Sequence, residues 1–119
     1  MLTEKTPATI KASLKVKAQG VENTLLLTYH NHSPEQYQAF IANPESLKVP
    51  DGVENDALGI AHINASLVLF LVKSFDDGTD KAFPLNRDGL VKLEQVWPGT
   101  LMGIMRGYHQ ARGAEVEKN

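Results

Sequence analysis

The sequence predicts an α+β domain: an N-terminal antiparallel β-hairpin or small sheet followed by a helical C-terminal half of three to four helices. Three observations predict it. Residues 9–18 alternate strictly between apolar and polar, residues 57–72 form an apolar run of helical length, and helix-start signals at Asn86 and Pro98 precede apolar residues at helical spacing.

Thr9 to Ala18 sets Ile10, Ala12, Leu14, Val16 and Ala18 on one face and Lys11, Ser13, Lys15 and Lys17 on the other, the pattern of a half-buried strand. Gln19 to Asn23, where Gly20 supplies turn freedom, leads into Thr24 to His30 with Leu25, Leu27 and Tyr29 two apart. Residues 9–30 therefore read as a β-hairpin. In Ser33-Pro34-Glu35-Gln36, Ser33 caps, Pro34 suits the first helical position and Gln36 completes a capping box, so a short helix is expected over 33–43, stopping before Pro44. Pro44 to Asp56, with two prolines, one glycine and four acidic residues, reads as the loop joining the two halves.

The helical part is expected over 55–112. Asn55 to Ser74 is its longest element, and Asn55, Gly59, His62, Ser66 and Lys73 share one narrow stripe of an otherwise apolar helix that should centre the core. Asp76 to Asp80 is a turn and Lys81 to Leu85 a short extended piece. Asn86 caps a helix to Val96 with Leu90, Leu93 and Val96 inward, and Pro98 opens a last helix to Arg112. Residues 113–119 form a charged tail expected to fray. The 119 residues make one domain, 1–119, of a size that buries about two thirds of its unfolded surface.

Composition narrows the function. Without cysteine there are no disulfides, thiolate metal sites or thiol nucleophiles. A net charge of −2 provides no global field for a polyanion, so no nucleic acid partner is expected. Met1 to Pro7 lacks an apolar stretch of signal-peptide length, and Ala57 to Val72, interrupted by His62, Asn64 and Ser66, is shorter than the roughly twenty apolar residues of a membrane span. No membrane partner is expected, and the location is expected to be cytoplasmic.

Chemistry-bearing clusters are sparse. His30-Asn31-His32 could offer two imidazoles to a metal, but a closed zinc site needs three or four ligands, and the spacing of His62 and His109 brings neither nearby. The acidic turn Asp76 to Asp80 lacks the alternating ligands and closing glutamate of an EF-hand loop. No nucleophile elbow, phosphate-cradling glycine loop or dinucleotide fingerprint is present, so catalytic, cofactor-binding and metal residues are all expected to be none. Read as a helix-turn-helix, the last two helices would present Arg87, Lys92, Arg106, His109 and Arg112 to phosphates. Asp88, Glu94 and the tight Trp97-Pro98 corner oppose that reading.

Gly99, Gly103 and Gly107, continued by Ala111, lie along one row of the last helix. Glycine in a helix interior costs about 0.8–1 kcal/mol relative to alanine, so close backbone approach must compensate. The approaching element is either the long core helix of the same chain or a partner segment seated in a groove beside Trp97, Met102, Met105 and Tyr108. The candidate protein-binding set is thus Trp97, Gly99, Met102, Gly103, Met105, Gly107 and Tyr108.

The C-terminal order is an apolar helix ending near Lys73-Ser74-Phe75, a turn at Asp77-Gly78, Phe83-Pro84-Leu85, a short amphipathic helix, Trp97-Pro98-Gly99-Thr100-Leu101, a helix bearing Tyr108, and Glu117-Lys118-Asn119. Over residues 55–119 this resembles the tail assembly chaperones of long-tailed bacteriophages and prophages. The resemblance implies a non-enzymatic cytoplasmic protein, absent from the finished particle, that coats the tape measure protein and recruits tail tube subunits. It leaves homo-oligomerisation open. It also implies that Glu117-Lys118-Asn119, which GAA AAA AAC would encode, could coincide with a frameshift site. The alternatives are a structural tail or connector protein of the virion, a small DNA-binding regulator and a small histidine-based metalloenzyme.

Overall fold

The computed structural model describes residues 1–53 and 56–116. Strands β1 (Thr9–Ala18) and β2 (Val21–His30) form the expected hairpin, joined by Gln19 and Gly20 alone, at φ 54° and 75°. Positive φ at both central residues is the primed turn whose twist matches paired strands. The second strand thus starts at Val21, three residues before the expected Thr24. Leu25, Leu27 and Tyr29 are buried on the inner face, as their spacing requires.

Helix α1 (Pro34–Ala42) carries the capping box read from the sequence, with Ser33 Oγ accepting from the Gln36 N–H and Gln36 Oε1 accepting from the Ser33 N–H. A short 3-10 turn, Pro44–Leu47, interrupts what was expected to be plain loop. Helix α2 (Asp56–Leu71) ends three residues early; Asn55, its expected first residue, lies outside the described residues. Val72–Phe75 instead form β3, antiparallel to β2, giving a sheet of order β1-β2-β3. Pairing explains the correction: β2 would otherwise be an exposed edge, and a strand sends Val72 and Phe75 into the core while satisfying β2's outer backbone groups.

Within the polar stripe, His62 and Ser66 turn inward and are buried, while Ile60 is 57% exposed. Lys81 to Leu85 is not a strand; a 3-10 turn, Thr79–Lys81, leads through irregular chain to α3 (Arg87–Val96), capped by Asn86 Oδ1 on the Gly89 N–H at 2.7 Å. Gly89 stands so close to the Pro84 backbone that a side chain there would overlap its carbonyl. Leu90 and Leu93 are inward as expected, but Val96 is 43% exposed and Val91 takes its place in the core. Helix α4 (Thr100–Arg112) begins two residues after Pro98, because Gly99 occupies a left-handed conformation at φ 91° that breaks the chain between the two helices. Residues 113–116 follow α4 outside any helix or strand, and 117–119, including Glu117-Lys118-Asn119, lie outside the described residues.

The core sits between the inner face of the sheet and α2, α3 and α4. Two tyrosines tie it together. Tyr29 donates to the Ile104 carbonyl at 2.7 Å, and the Tyr108 hydroxyl accepts from the His32 N–H at 3.1 Å and donates to its carbonyl. Burial pushes the Tyr29 phenol well above its ordinary pKa, so it remains a donor at every working pH.

Candidate protein-docking surface

The α3–α4 corner is built by one carboxylate. Glu94 on α3 accepts from the N–H groups of Gly99 and Leu101, supplying the helix N-terminus with the acceptor that Gly99 lacks. Thr100, buried, donates its hydroxyl to the Trp97 carbonyl at 2.7 Å. Trp97 and Thr100 of this corner line one depression together with Val16 of β1, and a second depression shares Val16 and Thr100 with it.

The first depression, about 280 Å³, is walled by Phe83, Leu93, Trp97 and Leu25, with Thr24 and Thr79 also lining it. The second, about 390 Å³, lies between the free edge of β1 and α4; Lys15, Lys17 and Arg106 line it with Gly99, Gly103 and Gln110. One side is apolar and the other cationic. Together they form a trough that can take apolar side chains at one end and carboxylates at the other.

The residues expected to form one groove are divided by the structure. Gly107 and Tyr108 are buried. A Cβ on Gly107 would stand 2.7 Å from both Leu14 Cδ2 and the Tyr29 hydroxyl, so the close approach is to the sheet rather than to the long core helix. Gly99 and Gly103 face open space in the second depression, Trp97 lines the first, and Met102, 49% exposed, stands on the outer side of α4 with the half-buried Met105. Val16, Phe83, Lys15 and Lys17 were missed by sequence reasoning, and Arg106 was named only as a phosphate contact. Only the alternation of β1 hinted at them, by marking its lysines as outward.

His30, His32 and His109 make contacts within the chain. His32 Nε2 contacts the Phe70 carbonyl at 2.6 Å and so carries a proton, while its ring stacks on Phe70, which in turn stacks on Phe40 at 4.2 Å. His30 lies 5.7 Å from the His32 ring; burial, then the neighbouring His32 and Lys73, hold its pKa below the ordinary value. His62 is buried in α2 and His109 packs edge-on to Tyr37. Among the described residues no three His, Asp or Glu side chains converge as metal ligands.

Asp76 and Asp77 have definite work in the turn. Thr28 and Ser74 donate to Asp76, whose pKa they lower. Burial alone would raise Asp77, but hydrogen bonds from Thr79 and the Leu26 N–H outweigh it and hold it low. Of the five residues read as phosphate contacts, Arg87 donates to the Lys48 carbonyl, Arg112 to Asn31, and Lys92 lies over the Phe83 ring, so three of them serve contacts within the chain. No described helix is long and apolar enough to cross a membrane. No protein-family model, curated protein or solved structure matches the chain.

Proposed function

We propose that this chain is a non-enzymatic adaptor that works by binding other polypeptides. Specifically, on its C-terminal resemblance, we propose a tail assembly chaperone that covers a phage tape measure protein in the bacterial cytoplasm and recruits tail tube subunits. The observation that supports protein binding is the trough around Val16 and Thr100, an apolar depression continued by a cationic one on a braced scaffold. A long apolar helical client aggregates unless its exposed patches are covered, and many copies of a small adaptor can cover it in series.

Co-expression with the tape measure protein of the same genome tests the proposal. Co-purification, suppression of tape measure aggregation and absence from purified virions are expected. Stoichiometric presence in virions would replace the chaperone by a connector, and failure to bind either tail protein would remove the reading altogether.

A further inference from the structure

The free edge of β1 is chemically specific. In an antiparallel pair only alternate residues direct their N–H and C=O groups to the partner strand. The two-residue turn makes Ala18 and Val21 a bonded pair, and the bond from the Asn31 N–H to the Ala8 carbonyl shows the same parity at the other end. Thr9, Lys11, Ser13, Lys15 and Lys17 therefore turn their backbone groups outward, away from β2. Helix α4 crosses β1 at Gly107 and Leu14, but Gly103 leaves the trough beside this edge unfilled.

We propose that this edge receives an extended acidic segment of a partner protein as a fourth strand, with its small or apolar side chains over Gly103. The proposal rests on the protein-binding reading above and names the partner's chemistry. Main-chain hydrogen bonds to the five outward residues supply affinity, and alternate side chains supply selectivity.

Charge selects the occupant. Lys15, Lys17 and Arg106 line the trough, and the single ion pair among the described residues is an exposed one, Lys15 to Glu22 at 4.0 Å. Lys11 has Asp76 nearby; Lys17 and Arg106 are in no ion pair among the described residues. A second copy of this chain pairing edge to edge would set lysines against lysines, and like charges directly opposite are destabilising. Edge lysines thus reject neutral or basic strands and reward an acidic one.

The test uses the full chain and two fluorescein-labelled ten-residue peptides, one alternating glutamate with valine and alanine, the other with lysine in place of glutamate. Anisotropy should show the acidic peptide binding at least about tenfold more tightly, weakening as salt is raised. Amide exchange should slow at Lys11, Ser13, Lys15 and Lys17. Ser13→Pro removes one outward N–H and leaves the β1–β2 ladder intact, so affinity should fall about fivefold with the fold kept. Should that variant unfold, Lys15→Glu with Lys17→Glu gives the second reading: the peptide preference should reverse.

Equal binding of the two peptides, no change on charge reversal, or dimerisation through β1 would overturn the proposal. Tape measure binding that survives the charge reversal would remove the edge assignment alone. Capture of neither peptide nor tape measure protein by the unaltered chain would remove the protein-binding reading with it.

Discussion

The β1–β2 hairpin has two edges, and the chain treats them in opposite ways. On the β3 side, β2 is covered by four residues of strand, and the next two residues continue the closure with side chains: the Leu26 N–H donates to Asp77 and the Thr28 hydroxyl to Asp76. On the β1 side ten residues of strand run along an open edge dressed with lysines. The outer side of β2 is sealed where acceptors follow the covering strand β3 immediately in sequence, and the β1 edge is left open where charge alone guards it. The helix above the open edge shows the same division, with Gly107 in contact with the sheet and Gly103 standing clear of it.

The largest expected effect comes from disturbing the contact end. Gly107→Ala puts a methyl 2.7 Å from Leu14 Cδ2 and the Tyr29 hydroxyl. Leu14 can yield by a rotamer shift, whereas Tyr29 is fixed by its bond to the Ile104 carbonyl. Overpacking of this kind costs about 1–3 kcal/mol and exceeds the roughly 0.8–1 kcal/mol that alanine gains in a helix. Urea denaturation should show a net loss of stability. With Tyr29→Phe added, the loss should be smaller than the sum of the two single changes, because the colliding hydroxyl is gone.

The sealed edge should respond to Asp77→Ala and to acid. Removing Asp77 leaves the Leu26 N–H and the Thr79 turn to water, a loss of about 1 kcal/mol by thermal or chemical denaturation. Because Asp76 and Asp77 are held below the ordinary carboxylate pKa when folded, the unfolded chain takes up protons first. Their contribution is complete above the unfolded value of about 4 and is lost as pH falls through the folded values. His30, also held low, adds an earlier window: its contribution is present above about pH 6.5 and declines below it, where the unfolded chain binds the proton first. Denaturation midpoints across pH 7 to 3 should fall in two steps. The lower step should shrink in Asp77→Ala.

The architecture was legible because it is written in short-range patterns. Alternation defined the hairpin, Ser33 and Gln36 announced α1, and Asn86 announced α3. The missed elements were decided at long range. Val72 and Phe75 continue an apolar helical pattern and become β3 only because β2, more than forty residues earlier, needs a partner. His62 and Ser66 read as a polar stripe, yet they are buried, since burial of α2 depends on what packs around it. For the candidate site, the glycine row pointed to close approach along α4, which Gly107 alone makes, and to the sheet rather than to the long core helix. Which glycine touches and which stands open depends on where α4 crosses β1, and no local spacing encodes that. Trp97 was visible, but its neighbours Val16 and Phe83 come from separate segments and meet only in the fold.

The smallest effect sharpens the comparison most, because it should change sign along one helix. Gly103 lies within α4, and nothing stands within 4 Å of where its Cβ would be. Gly103→Ala therefore meets no collision and should stabilise the fold by about 0.8–1 kcal/mol, the ordinary helix-propensity difference. A methyl at this position narrows the trough beside the β1 edge, so the same variant should denature at higher urea concentration while binding the acidic peptide more weakly. A destabilised Gly103→Ala would mean that this end of the helix is packed after all. A stabilised variant with unaltered binding would mean that the space over Gly103 is never filled.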